Sequence, residues 1–194
     1  MEPLYERWEH YSDIGPKSYI CGYCGQITGV SYGYFTDQRS HFIYFCGGCK
    51  RPSFFEYGEL QTPGFIPGNE VSHLPKEIES LYNEARYCIQ VNSYTACVLI
   101  CRKILMHISV EKGAEPNQSF ISYVEYLAGK GFVTPDSKAW VDYIRTKSNE
   151  ANHEIVLMTS DDALQLLSFV EMLLKLIFEF PARIMPTSDS KRKK

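Results

Sequence analysis

Hydrophobic and polar positions follow two different periods along this chain. Before residue 56, short runs rich in Val, Ile, Tyr and Phe, such as 27–32 and 41–45, are typical of β-strands joined by a turn. From Leu74 onward, apolar residues recur every three or four positions, which is the period of an amphipathic helix. The pattern predicts a mostly α protein in which a small β segment precedes a helical domain.

The helical part divides into four or five helices. Its run 96–101 is apolar all round, which predicts that the helix containing it is central and that Cys97 and Cys101 fill the core. Proline or a capping residue marks most of the starts. The predicted helices begin near Leu74, after Asn92–Ser93, at Phe120, at Thr134–Asp136 and at Ser160–Asp162.

The last predicted helix carries more apolar surface than one domain needs. Its polar residues occupy only about 120° of the circumference on an ideal helix. We therefore expect a homodimer in which residues 163–180 contribute to the interface. Because Glu171 and Lys175 interrupt the apolar run, no membrane span is expected. The polar positions are Gln165, Ser168, Glu171, Lys175 and Glu179.

Proline–glycine pairs and shifts in composition suggest five segments. The pairs at 63–64 and 67–68 indicate a linker. The last ten residues are polar and carry a net charge of +3, which predicts a disordered basic tail. The segments are an N-terminal arm (1–16), a β segment (17–56) whose cysteines are considered next, a linker (57–73), a helical domain (74–184) and the tail (185–194).

Four cysteines form the most specific motif in the chain. They occur as two C-x-x-C pairs, Cys21 with Cys24 and Cys46 with Cys49, separated by a predicted hairpin. Zn²⁺ binds four thiolates in a tetrahedron, and two such turns joined by a hairpin make a zinc ribbon. The sequence therefore predicts one structural Zn²⁺. Cysteines that bind a metal must stay reduced, so the sequence also predicts a cytoplasmic protein.

Aromatic residues are dense in 17–56, and only part of them can fit inside so small a core. Tyr32, Tyr34 and Phe55 are candidates for its surface. Together with Arg39, Lys50 and Arg51 they could stack nucleic-acid bases. We favour packing of these rings on the helical domain. A net charge of +2 over this segment attracts a nucleic acid only weakly, and the whole chain carries −3.

Polar groups able to hold a phosphate and move a proton gather in residues 144–154. Arg145, Asn149 and His153 would share one helix face along about 12 Å, with Glu150 and Asn152 beside them as binding groups. The alternative is a polar helix end at which Asn152 and His153 satisfy free carbonyls. Arg102 directly follows the apolar run, so it needs a partner and is a further candidate binding residue.

Two motifs in the helical part resemble the prokaryotic family called domain of unknown function 4145, which is similar to the HEPN (higher eukaryotes and prokaryotes nucleotide-binding) domains. One is the apolar helix leading into Arg102-Lys103-Ile104-Leu105, and the other is Arg145 to His153. Ser148 stands where the family usually has glycine, and Met106 where an acid is common. The resemblance implies a paired up-and-down helical bundle, often behind a zinc ribbon, in toxin, restriction or phage-defence systems.

Two functions follow from these features. The first is a non-catalytic module that binds RNA or a partner protein of a defence system through the ribbon and the polar helix end. The second is implied by the resemblance, since HEPN ribonucleases cut RNA without a metal by means of an arginine and a histidine. In that case Arg145, Asn149 and His153 would be the catalytic residues at a dimer interface.

Overall fold

A computed structural model describes residues 9–133 and 157–184 of the chain. The chain divides into two compact units, residues 1–67 and 68–194. Strands occupy the described part of the first unit and helices that of the second. The protein is therefore mixed α/β, with a larger β part than the hydrophobic pattern predicted.

The first unit contains one five-stranded antiparallel sheet in which each strand pairs with the next along the chain. Only parts of β2 and β3 were evident from the sequence. β1 begins inside the segment suggested as an arm, and β5 lies inside the suggested linker. The strands are β1 (Ser12–Ile20), β2 (Ile27–Phe35), β3 (His41–Phe45), β4 (Pro52–Glu56) and β5 (Leu60–Thr62).

The second unit has helices at most of the positions that the sequence indicated within the described ranges. α2 lies against α1, α3 and α4, so the predicted central helix is confirmed. It is not buried all round, however, since the side chain of Leu99 is 59% exposed. The helices are α1 (Lys76–Gln90), α2 (Tyr94–Glu111), α3 (Phe120–Gly129), α4 (Ser160–Leu174) and α5 (Phe180–Ile184).

A capping box at Thr159 begins α4. The Thr159 hydroxyl accepts a hydrogen bond from the backbone N–H of Asp162 at 3.2 Å, and the Asp162 carboxylate accepts one from the N–H of Thr159 at 2.9 Å. The sequence placed the cap one residue later, on Ser160. The reciprocal bonds explain the difference, because they require a hydroxyl and an acid three residues apart.

A π-helical turn, Lys175–Glu179, joins α4 to α5. A π-turn inserts one extra residue, so the side chains that follow are rotated by about 100° relative to a continuous α-helix. This rotation brings Glu179 inward, where it is only 4% exposed. Glu179 is therefore buried, although the sequence shows it as one of the polar positions of the last helix.

Two carboxylates of this region hold the backbone of residues 68–72, which we call the strap. Glu171 accepts hydrogen bonds from the backbone and side-chain N–H groups of Asn69, each at 2.9 Å. Glu179 accepts one from the backbone N–H of Ser72 at 2.8 Å and forms an ion pair with Arg183 at 2.9 Å. The polar positions 171 and 179 thus fix the strap to the helical unit.

Most of the apolar surplus on the last helix is buried inside its own unit. Leu166, Leu167, Val170 and Leu173 belong to the core formed with α1, α2 and α3. In contrast, Leu176, Phe180 and Ile184 remain 38%, 42% and 78% exposed. No helix within the described ranges is long and apolar enough to cross a membrane.

Candidate metal centre

The two predicted cysteine pairs come together at one end of the sheet. All four sulfur atoms lie within 4.8 Å of one another. The Cys21 and Cys49 sulfurs are 3.6 Å apart, and those of Cys24 and Cys46 are 3.7 Å apart. Sulfur atoms at the corners of a tetrahedron with metal–sulfur bonds of about 2.3 Å would be separated by about 3.8 Å. The cluster therefore has the dimensions of a tetrahedral four-thiolate metal site.

The two C-x-x-C turns have the same backbone geometry. In each turn, the carbonyl of the first cysteine accepts a hydrogen bond from the fourth residue after it, Gly25 at 2.9 Å and Lys50 at 3.0 Å. Both of those residues have a positive φ, of 69° and 62°. Each of the two turns directs its two sulfurs toward the same point. Cysteines paired in disulfides would not require this repeated geometry.

Glycine at position 22 allows the first turn to approach the chain after β5. A Cβ atom at Gly22 would collide with the carbonyl oxygens of Pro63 and Gly64. Any side chain at this position would have to displace a backbone segment, so the glycine of the first turn is a packing requirement.

Burial and backbone N–H groups act in opposite directions on the thiols. Backbone N–H groups, chiefly that of Cys49, lower the pKa of Cys46 to about 6. Burial and the neighbouring thiols raise the pKa of Cys21 to about 11. Four thiolates this close together repel one another, and a divalent cation at their centre would remove that repulsion. The donor set thus fits a thiophilic cation.

The centre is buried on one side and open on the other. Cys21 and Cys46 are fully buried, whereas Cys24 is exposed. Near the open side, the Arg51 guanidinium lies 5.1 Å from the ring centroid of Tyr23, which stands between the first two cysteines. The first turn thus carries an exposed aromatic side chain, and a cation from just after the second turn lies against it.

The aromatic residues of the sheet separate into buried and exposed groups. Phe55 is 1% exposed and packs edge-on against Tyr19 and Tyr44, so its predicted surface position was wrong. Tyr32 and Tyr34 are exposed as expected. Composition alone gave no signal for this division, because it depends on which face of the sheet each side chain occupies.

Arg102 has an aromatic partner within the described part of the chain. Its guanidinium lies 4.5 Å from the ring centroid of Phe120, and burial lowers its pKa. Arg102 therefore has a partner, as the sequence led us to expect, and that partner is an aromatic ring. Arg145, Asn149, Glu150, Asn152 and His153 lie outside the described residues.

The fold and the sulfur geometry define a mixed α/β protein whose β unit carries a four-cysteine cluster with the dimensions of a metal site. Comparison with family models extends this description. The family described as Domain of unknown function (DUF4145) matches residues 83–193, which is more than half of the chain. The chain therefore belongs to the DUF4145 family. Neither the curated proteins nor the solved structures gave a match.

The family match and the metal-binding site occupy different parts of the chain. The match begins inside α1 and does not reach the four clustered cysteines, which end at Cys49. The family assignment thus concerns the helical unit, and the β unit must be interpreted from its own geometry.

Proposed function

We propose that residues 17–56 form a zinc ribbon with one structural Zn²⁺ per chain, and that the protein is a non-catalytic module that binds a macromolecular partner. The arrangement of four sulfurs, all within 4.8 Å of one another, carries this proposal. Thiolate ligands in a tetrahedral set favour zinc or iron among the common metals. Zinc is the simpler choice, since it needs no particular redox state.

A structural role follows from the number of thiolates. A zinc enzyme leaves a coordination position open for water or substrate, whereas four cysteines close the coordination shell. In this centre the metal would replace the core that a short β segment lacks. Within the described part of the β unit, two of the five buried core residues are the cysteines Cys21 and Cys46.

Metal analysis of the full-length protein, purified without chelator, tests the metal assignment. We expect one zinc and no iron per chain, with metal–sulfur distances of about 2.3 Å by X-ray absorption spectroscopy. Cys24→Ser should lose the zinc, whereas Cys88→Ser should retain it, because Cys88 lies in the helical unit outside the cluster. Wild-type protein without zinc, or with iron in its place, would overturn the assignment.

The non-catalytic role is tested against the ribonuclease that the sequence offered as an alternative. Labelled RNA is incubated with the protein in excess EDTA, beside a His153→Ala variant. We expect no cleavage by either protein. Cleavage by the wild type that His153→Ala abolishes would overturn the proposal and assign a catalytic role to that histidine.

Self-association belongs to the same proposal. Leu176, Phe180 and Ile184 follow one another at intervals of four residues and are all exposed. We expect these side chains to be covered by a second copy of the chain. Light scattering should give the mass of a dimer, and Phe180→Glu should give a monomer. A wild-type mass of one chain at micromolar concentration would contradict the homodimer.

A further inference from the structure

We propose that Thr28 is a positioning residue of the metal centre, and that its hydroxyl holds the second C-x-x-C turn in the orientation in which the two pairs of sulfurs converge. The inference rests on the proposed zinc ribbon and names a residue outside the four cysteines that controls how tightly the metal binds. Thr28 lies on β2, and its partner Gly47 directly follows Cys46 in the second turn. The bond therefore joins the strand that leaves the first turn to the second turn.

The sheet divides into two hairpins at the end that carries the cysteines. β1 and β2 remain paired up to the first turn, and β3 and β4 remain paired up to the second. The pairing of the described strands β2 and β3, in contrast, ends at Gly33 and Tyr44. Each turn is thus the loop of its own hairpin, and the backbone ladder between the hairpins stops before it reaches the turns.

Thr28 supplies a hydrogen bond between the hairpins beyond the end of that ladder. Its Oγ1 accepts the backbone N–H of Gly47 at 2.9 Å. Thr28 is only 7% exposed, so water competes little for its hydroxyl. Two residues earlier, the carbonyl of Gln26 accepts the backbone N–H of Cys21 at 2.9 Å. The short segment 26–28 is therefore bonded to both turns.

The bond to Gly47 acts on the Cys46 sulfur through the backbone of the turn. The N–H of Gly47 is the first of three consecutive N–H groups after Cys46, and the next two, those of Gly48 and Cys49, donate to the Cys46 sulfur. Because peptide groups are planar, fixing the first one limits the orientations that the next two can adopt. Thr28 thus helps to direct these donors, and with them the second pair of sulfurs.

Glycines in the second turn fit this close approach. A Cβ atom at Gly47 would lie 3.0 Å from Thr28 Oγ1, and one at Gly48 would lie 2.4 Å from Gln26 Oε1. The turn therefore lies directly against the start of β2. A side chain at position 47 would require the turn or the hydroxyl to shift.

The zinc affinity of the full-length protein tests the inference. Thr28→Val keeps the branched shape of the side chain and removes the acceptor. Loss of a group that orients a metal ligand typically costs 10–100-fold in metal affinity. We expect the zinc dissociation constant of Thr28→Val, measured by competition with a chelator of known affinity, to rise about tenfold or more. Thr28→Ser keeps the hydroxyl and should stay close to the wild type.

Thr36→Val separates positioning of the metal from a general contribution to the stability of the sheet. Thr36 is also buried, and its hydroxyl also accepts a backbone N–H, that of His41 at 3.2 Å. It lies just after the other end of β2, however, roughly 25 Å from Thr28 along the strand. Its loss should weaken the sheet without altering the coordination of the metal.

Co²⁺ bound in place of Zn²⁺ distinguishes these two roles, because its visible absorption depends on the geometry of its ligands. In the Co²⁺-saturated proteins, Thr28→Val should shift the absorption bands. Thr28→Ser and Thr36→Val should keep the spectrum of the wild type. Loss of all metal binding in Thr28→Val, beside normal binding in Thr36→Val, would equally support the inference.

Unchanged zinc affinity and an unchanged Co²⁺ spectrum in Thr28→Val would overturn the inference and leave the zinc ribbon intact. A spectral shift in Thr36→Val as large as that in Thr28→Val would also overturn it, because the effect would then belong to the whole sheet. The same holds if Thr28→Ser behaves like Thr28→Val. Absence of zinc from the wild type would overturn the ribbon itself and this inference with it.

Discussion

The two units of this protein reach a folded state by different means. In the β unit, the fully buried core within the described residues is small and includes two cysteines of the metal-binding cluster. In the helical unit, the core extends over α1, α2, α3 and α4 and consists mainly of aliphatic side chains. In the proposed zinc ribbon, metal coordination would supply to the first unit what apolar burial supplies to the second.

This difference also separates the surfaces. The sheet of the β unit leaves the rings of Tyr11, Tyr32 and Tyr34 exposed to solvent. In its described ranges, the helical unit buries a large apolar core and fixes its own strap with Glu171 and Glu179. The comparison teaches that, in the proposed zinc ribbon, the metal rather than a large apolar core would stabilise the β unit.

Loss of a zinc ligand should produce the largest effect and confine it to one unit. Structural zinc contributes about 10–16 kcal/mol in small modules, which is as large as the whole stability of a typical domain. In Cys24→Ser, limited proteolysis followed by mass spectrometry should therefore show cuts within residues 9–67 and protection of the described helices. Equal protection of both units would show that the metal is not needed for folding. Cys88→Ser provides the control.

A cavity in the helical core should have the second largest effect, and it should destabilise the helical unit rather than the β unit. Ile104 on α2 is fully buried, so Ile104→Ala should destabilise the helical unit by about 2–5 kcal/mol while the zinc content stays at one per chain. Chemical denaturation followed by circular dichroism at 222 nm measures the change. Leu99→Ala on the same helix should alter stability by less than about 0.5 kcal/mol, because that side chain is 59% exposed. Similar losses in both variants would contradict this account of the core.

Removal of the capping box should have a smaller effect on the same unit. Thr159→Ala deletes the hydroxyl that accepts the Asp162 N–H bond and should cost about 1 kcal/mol. Ser93 occupies the N-cap position of α2 without a side-chain hydrogen bond, so Ser93→Ala is the matched control and should cost less. The difference between the two thermal midpoints checks the assignment. A larger loss in Ser93→Ala would contradict it.

The smallest effect is a loss of stability in acid that depends on Glu179. The backbone N–H of Ser72, foremost, and the charge of Arg183 lower the pKa of Glu179. A lowered folded-state pKa means that the carboxylate stabilises the helical unit above its unfolded pKa of about 4.3 and loses that contribution as the pH falls further. The midpoint of thermal unfolding should therefore fall more steeply between about pH 5 and pH 3 in the wild type than in Glu179→Gln. Parallel curves for the two proteins would show that Glu179 does not carry the dependence.

Local pattern predicted those features of the molecule that depend on residues close together in the chain. The paired cysteines predicted a four-thiolate cluster, because two residues between cysteines suffice to direct both sulfurs the same way. Helical periodicity located α1, α2, α3 and α4 to within a few residues. Likewise, the family resemblance carried by the residues around Arg102 and Arg145 is confirmed by the DUF4145 match.

Tertiary structure decided what depends on distant residues. The sequence predicted two strands, β2 and β3, and the sheet adds β1, β4 and β5, whose hydrogen-bonding partners are set by their neighbours along the sheet. Both Tyr32 and Phe55 are aromatic strand residues, yet one is exposed and the other buried, because strand alternation does not specify which face is covered. A single π-turn likewise rotates Glu179 into contact with Ser72, which no regular helical period could foresee.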